Sequence, residues 1–315
     1  MRSIQNSPIH SSINIGQFSG TRNAFTLIEL LVVVTVIGLL VALLTPTVGH
    51  VLTLARGSKS LAQLRQLSLG VTMYALGQKG FLPAGAYPSP PTPRIRWIDA
   101  IWPYMEVREM YISPQLTTGD LARMVIPFAH DPTLKFGGYG YNYQYLGNGR
   151  HTATLQAPYN VPFHARTGAM LPAPSRTVLM SDTDGTKAEQ TNNSSGQTME
   201  SPWSSNGVYV IDPPLGSRTL GSLGSRKAQG GPTASNYGYQ GGADGVLKGE
   251  NGALSSRVGD PTCRATPSPR NLGKVNAGFL DGHTEPMDPA ALDDFDGDGN
   301  VDNGWWNGLG RVNVR

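Results

Sequence analysis

From Phe25 to Leu44 the chain reads FTLIELLVVVTVIGLLVALL, twenty positions with a single charge, Glu29. At about 1.5 Å per residue, a helix of this length matches a hydrocarbon core about 30 Å thick, so the pattern predicts a membrane-crossing helix over 25–44. A secretory signal has a shorter apolar stretch, about 7 to 15 residues, so the length favours a retained anchor. An ionised carboxylate in hydrocarbon costs on the order of 2.5 to 3.5 kcal/mol, which marks Glu29 as a group with a function and a partner. Beyond Pro46 the pattern becomes amphipathic. Val51, Leu54, Leu61, Leu64, Leu67, Val71 and Tyr74 fall on one helical face, which is expected to lie on a sheet. Pro46 removes one backbone donor and bends the helix without ending it, Gly57 and Ser58 mark a second bend, and the helix stops near Gly77 to Gly80. The helix is therefore expected over 25–80.

Past the helix the periods shorten. Five prolines between Pro83 and Pro93 predict a loop. Trp97, Ile98, Ile101, Trp102 and Tyr104 then form a short amphipathic segment, whose aromatic area favours core packing over a partner surface. Tyr139, Tyr141, Tyr143 and Tyr145 alternate with Gly140, Asn142 and Gln144, the period of a strand with one aromatic face. A row of rings suits a carbohydrate platform; packing onto the helix is the favoured reading. Arg176 to Met180 is a short strand, and Lys274 to Met287 reads as two strands around the Asp281-Gly282 hairpin pair. The whole is an α+β fold, a long N-terminal helix packed on a small antiparallel sheet with long loops. Between these strands, about 183–268 is a loop-rich insertion with Trp203, Tyr209, Tyr237 and Tyr239 as its only sizeable aromatic anchors.

Composition adds few constraints. With 39 glycines and 24 prolines in 315 residues, one position in five is a loop former. The net charge of +3 and the lack of a basic stripe with interleaved aromatics exclude a nucleic-acid partner. Cys263 is the sole cysteine and has no intrachain disulfide partner. No GxSxG or HExxH string is present, and His283 beside Asp281 lacks a second histidine or cysteine at ligand spacing, so the chain is not read as an enzyme.

The string from Arg22 to Glu29, RNAFTLIE, resembles the prepilin signature of the type IV pilin and type II secretion pseudopilin superfamily. The resemblance implies a leader over 1–24, a prepilin peptidase that cuts between Ala24 and Phe25, and methylation of the new Phe25 amine. Ala24 stands where the family has glycine. Glu29 would be the fifth mature residue, pairing in the assembled fibre with the terminal amine of a neighbouring subunit. The segment WIDAIWPYM, the strand YGYNYQYLG and the Asp281-Gly282 turn resemble elements of the large pseudopilin-like group that places a histidine ten positions before an Asp-Gly pair. Here that position is Asn271, so no role of that histidine is carried over.

From Asp281 to Asp302 there are eight acids and no lysine or arginine. Within DDFDGDGNVDNGWW, Asp294, Asp296, Asp298, Gly299 and Asp302 take positions 1, 3, 5, 6 and 9 of a calcium loop, with the Asn300 carbonyl at position 7. Position 12, normally an acid, is Trp305. A Ca²⁺ site of weak, extracellular grade in the loop 293–305 and a solvated acidic turn are both open. The resemblance favours calcium, since major pseudopilins carry a calcium site in a C-terminal loop.

These expectations describe a single-pass inner-membrane protein with a head (81–315) in the periplasm or outside the cell. It is expected to be a structural subunit of a type II secretion pseudopilus or type IV pilus-like fibre, with other subunits and secreted cargo as further partners. The alternative is an anchored calcium- or carbohydrate-binding surface module.

Overall fold

A computed structural model describes residues 26–87, 94–148, 163–185, 208–215, 258 and 265–312. The leader with Ala24 and Phe25, most of the insertion, the prolines of 88–93 and Cys263 lie outside the described residues. In chain order the elements are α1 (Leu27–Gly77), α2 (Trp97–Ile101), α3 (Thr118–Met124), β1 (Val125–Pro127), β2 (Lys135–Gly137), β3 (Tyr139–Tyr141), α4 (Tyr143–Leu146), β4 (Gly147–Asn148) and β5 (Phe163–His164). They continue with β6 (Val178–Gly185), β7 (Thr266–Pro267), β8 (Val275–Phe279), β9 (Thr284–Met287) and α5 (Pro289–Asp293). The chain divides into two compact units, Met1–Gly49 and His50–Arg315.

In the first unit every described residue is helical from Leu27 onward and exposed. The helix continues through Pro46. Proline removes one helix hydrogen bond. The flanking hydroxyls of Thr45 and Thr47 donate to the carbonyls of Val41 (2.8 Å) and Leu44 (2.7 Å), so their own polarity is satisfied within the helix.

The second unit begins with the rest of α1, whose inward face is Gly57, Ser60, Leu64, Leu67, Ser68, Val71 and Ala75. Leu64, Leu67 and Val71 are fully buried, as the periodicity predicts, but Val51 and Leu54 are 60% and 45% exposed. Packing therefore starts nearly two turns later than the apolar pattern alone suggests, at Gly57. α1 passes through Gly57 and Ser58 without a break, and the glycine serves close approach. A Cβ on Gly57 would come within 2.7 Å of Asn271 Cγ.

The sheet beneath the helix is antiparallel and five-stranded, in the order β3-β6-β8-β9 with β7 also on β6. Tyr141 pairs with Met180, Ser181 with Ala277, and Val275 with Met287. The predicted hairpin at Asp281-Gly282 joins β8 to β9, with Gly282 at φ +91°.

The tyrosine row is a correction. The strand ends at Tyr141, and Tyr143 and Tyr145 belong to a helical turn. Asn142 is the physical cause: its buried side-chain amide donates to the carbonyls of Val178 and Trp306, both at 2.9 Å, and so takes over where the next ladder bonds would form. All four rings are buried, which removes the carbohydrate platform. Each hydroxyl is satisfied internally: Tyr139 donates to Gln63, Tyr141 to the Pro83 carbonyl and Tyr143 to Asp212, while Tyr145 accepts from Asn303.

Trp97, Ile98 and Ile101 are likewise core residues. Trp97 stacks on Tyr141 (5.5 Å, 23°), meets Phe136 edge-on (5.3 Å, 88°), and its indole N–H donates to the Tyr209 carbonyl at 2.7 Å. That last bond identifies a part of the insertion the sequence reading missed. Residues 208–215 are buried, and Val210 pairs in parallel with Tyr141 inside the core.

Candidate functional site

The first candidate is the start of α1. Thr26 and Glu29 form a reciprocal cap: the Thr26 N–H and hydroxyl both donate to Glu29 Oε2 (2.9 and 2.8 Å), and the Glu29 N–H donates to the Thr26 hydroxyl at 3.3 Å. The Thr-x-x-Glu spacing is that of a capping box, and it satisfies backbone donors that the first helical turn leaves open. The same carboxylate thus has a local role that can be read from the sequence beside its rarity in an apolar run. From Leu27 to Leu44 the large apolar side chains are between 47% and 83% exposed. Such a continuous apolar surface is stable only against lipid or other apolar helices. The helix is long and apolar enough to cross a membrane.

The second candidate is the acidic loop after α5. One carboxylate oxygen each from Asp294, Asp296 and Asp302 lies within 4.8 Å of the others, a spacing that oxygen ligands about 2.3 to 2.6 Å from one Ca²⁺ would take. The loop is wound by its own amides. Asp294 accepts from Gly297 (2.8 Å) and Gly299 (2.9 Å), and both glycines sit at positive φ, +75° and +84°, where a side chain would strain the turn. Burial pushes the Asp302 carboxyl up to about 6, and the negative charges of Asp296 and Asp294 push the same way. A divalent cation would relieve that repulsion, so the donor set fits a hard ion.

The structure does not bring all five expected ligands together. The Asp298 carboxylate turns away to Asn300, accepting from its backbone N–H at 2.8 Å and its side-chain amide at 2.9 Å. Trp305, where an acid would complete the loop, instead packs edge-on against Phe295 (4.8 Å) and donates its indole N–H to the Ala291 carbonyl. His283 is a hairpin brace, stacked on Phe279 at 4.1 Å with Nδ1 2.5 Å from Asp281 Oδ1.

A third cluster, which the sequence reading missed, ties the helix to the sheet. Asp182, fully buried on β6, accepts from Ser60 of α1 (3.0 Å) and Ser113 (3.2 Å). Tyr139 lies 3.3 Å from the Ser60 hydroxyl and donates to Gln63 Oε1 at 2.7 Å. Burial drives the Asp182 carboxyl up to about 6, against the opposing pull of the Arg270 guanidinium and of the Ser60, Ser113 and Asn276 side chains. Beside it, Asn271 donates to Asn276, whose amide donates to Gln115 (3.0 Å) and to the Gly57 carbonyl of the helix (3.4 Å). The position where the resembling group has histidine is therefore occupied here by a residue that sits on the helix. The available signal was Ser60 and Gln63, two polar residues on the face of α1 that also carries Leu64 and Leu67.

Residues 20–45 match the family model of the prokaryotic N-terminal methylation motif, the hallmark of the prepilin-type signal of type IV pilins and pseudopilins. The match thus covers the capped start of α1 and its apolar run. No characterised protein and no solved structure matches the chain.

Proposed function

We propose that this chain, whose N-terminal methylation motif supports a pilin-like protein processed by prepilin peptidase, is a structural subunit of a type II secretion pseudopilus or a type IV pilus-like fibre. The observation that carries the reading is the apolar, exposed helix that begins with a single capped carboxylate. In the precursor that helix lies in the inner membrane, with the head in the periplasm or outside the cell. In the fibre, neighbouring apolar helices replace lipid around it.

Cleavage after Ala24 and methylation at Phe25 would create an ammonium group one residue before Thr26. Both Thr26 donors bind Glu29 Oε2, so Oε1 faces no described donor of this chain and is the atom a neighbour's amine would approach. Two charges costly alone in an apolar bundle then neutralise each other and set the axial register. The role is assembly, with other subunits as partners and secreted cargo as what the head meets. The acidic loop adds a calcium site held by Asp294, Asp296 and Asp302, with Asn300 supplying a carbonyl. Bound calcium would stabilise the outer part of the head. The buried tyrosine row leaves calcium as the one ligand reading of the head that a structural observation favours.

The test is the mass of the amino-terminal peptide from native membranes, followed by Glu29→Ala. A start at methylated Phe25, with a Glu29→Ala protein that is cleaved and anchored but absent from sheared fibres, supports the reading. An intact Met1 start, or fibres that form without Glu29, refutes it.

A further inference from the structure

Residues 208–215 are held in the head much as a peptide is held in a groove. β3 ends the path of the sheet and pairs with β6 on one side. On its other side the segment runs parallel to it: the Tyr141 N–H donates to the Tyr209 carbonyl (3.1 Å), and the Ile211 N–H to the Tyr141 carbonyl (3.0 Å). At the far end one side chain, Asn303, takes both backbone groups of Leu215, accepting from its N–H (3.0 Å) and donating to its carbonyl (2.7 Å). Tyr143 and Gln144 donate to Asp212 Oδ1 at 3.0 and 2.9 Å. Val208, Val210, Ile211 and Leu215 are buried. Strand addition to a sheet edge has this form: main-chain bonds supply affinity, and side-chain seats supply selectivity.

None of these bonds depends on the chain that leads into and out of the segment. The connecting stretches, 186–207 and 216–264, are 22 and 49 residues long. A stretch of 22 residues spans up to about 75 Å, so the covalent tie does not dictate one seat. The seat itself is strained. Ala265, whose carbonyl accepts the Asp212 N–H at 2.9 Å, is buried at φ +52°, a conformation unfavourable for a residue with a Cβ. Such strain persists only while surrounding contacts hold it, and this contact comes with the segment. The pairing is also parallel, the less stable arrangement per residue. An identical segment from another copy meets the same groups, and local concentration then decides which one is seated.

We propose that the open edge of β3 is a strand-exchange site, which takes residues 208–215 of a second copy of this chain in place of its own. The exchange links heads without any new contact, because every bond made within one chain is remade between two. It adds a tie to the proposed fibre and rests on that reading for the nearness of neighbours.

Two full-length copies with different affinity tags are co-expressed in the Glu29→Ala background and purified in detergent, so the result does not depend on fibre assembly through Glu29. The acceptor carries Val210→Asp and Ile211→Asp, which bar its own segment from the core. The donor carries Gly140→Val, which closes its own groove, since a Cβ there would lie 2.7 Å from the Val210 carbonyl. Donor and acceptor are expected to co-purify as a pair, and the pair should be lost when the donor also carries Val210→Asp. A labelled synthetic peptide of residues 207–216 should bind the acceptor, read by fluorescence anisotropy, and dissociate the pair. A second chain guards against an acceptor that fails to fold: it keeps the native head, with protease sites inserted after Met199 and Gly230. Once cut, its 200–230 fragment should exchange for the labelled peptide. An acceptor that binds the peptide but no donor overturns the proposal, confining the groove to its own chain. So does a cut fragment that does not exchange, or a pair that survives Val210→Asp in the donor, which would place the contact elsewhere.

Discussion

Replacing the buried Asp182 by asparagine should stabilise this protein at neutral pH and flatten its response to acid. The carboxyl is fully buried and pushed from 3.8 to about 6, burial outweighing the Arg270 charge and the hydroxyl donors of Ser60 and Ser113. A group that binds its proton more tightly folded than unfolded contributes stability that is complete below the unfolded value and lost as pH rises through the folded one. Between about pH 4 and 6, raising the pH therefore weakens the fold. At roughly 1.4 kcal/mol per unit, the full loss at neutral pH is on the order of 3 kcal/mol. A neutral side-chain amide at this position would mimic the protonated acid, so Asp182→Asn should match wild type near pH 4 and exceed it at pH 7 by up to that amount. For a head of this size the gain is on the order of 5 to 10 °C in melting temperature. Thermal unfolding of both proteins in the same detergent, followed by near-ultraviolet dichroism of the buried Trp97 and Trp306, reads the difference. Asp302 titrates in the same window and direction, but it is common to both proteins and cancels in the comparison. Identical pH slopes, or an Asp182→Asn protein less stable at pH 7, would refute the reasoning.

Three further outcomes follow from the packing. Gly57→Ala should cost roughly 1 to 2 kcal/mol, the clash with Asn271 exceeding the helix-propensity gain, and Asn271→Ala in the same chain should recover most of it in denaturant titrations. Gly140→Ala should cost roughly 2 to 3 kcal/mol, because its Cβ would lie 2.7 Å from the Val210 carbonyl; no loss would mean that 208–215 is not seated in the core. Millimolar calcium should raise the melting temperature of the head, by about 1 to 3 kcal/mol equivalent at ten to a hundred times the dissociation constant, and Asp294→Ala should abolish that rise, read by calorimetry with magnesium as control.

The helix and hairpin were readable in the sequence because each is set by local chemistry. The 3.6 period of Leu64, Leu67 and Val71 fixes which face of α1 is buried, and Asp281-Gly282 supplies the positive φ that its turn requires. What escaped depended on partners far away in the chain. Alternating tyrosines read as strand up to Tyr145, but Asn142 finds acceptors on Val178 and Trp306 and ends the ladder. The burial of 208–215 has no periodic signature, since its seat is a gap beside Tyr141 and Trp97 that other elements create. At the acidic loop the spacing named Asp294, Asp296 and Asp302, whose carboxylate oxygens lie within 4.8 Å of one another. It missed that Asp298 is diverted by the amide of Asn300, two positions on.

The pairing of Gly278 of β8 against Leu64 and Ser68 of α1 fixes the order in which the molecule is completed. More than two hundred residues separate the two contact partners in the chain, and at about 5 to 20 residues per second the ribosome needs roughly 10 to 40 s to supply the second after the first. Contacts this distant in sequence form slowly even once the chain is complete. The inward face of the helix therefore waits uncovered while the rest of the chain is made, whereas the methylation motif over residues 20–45 is complete long before β8 is synthesised.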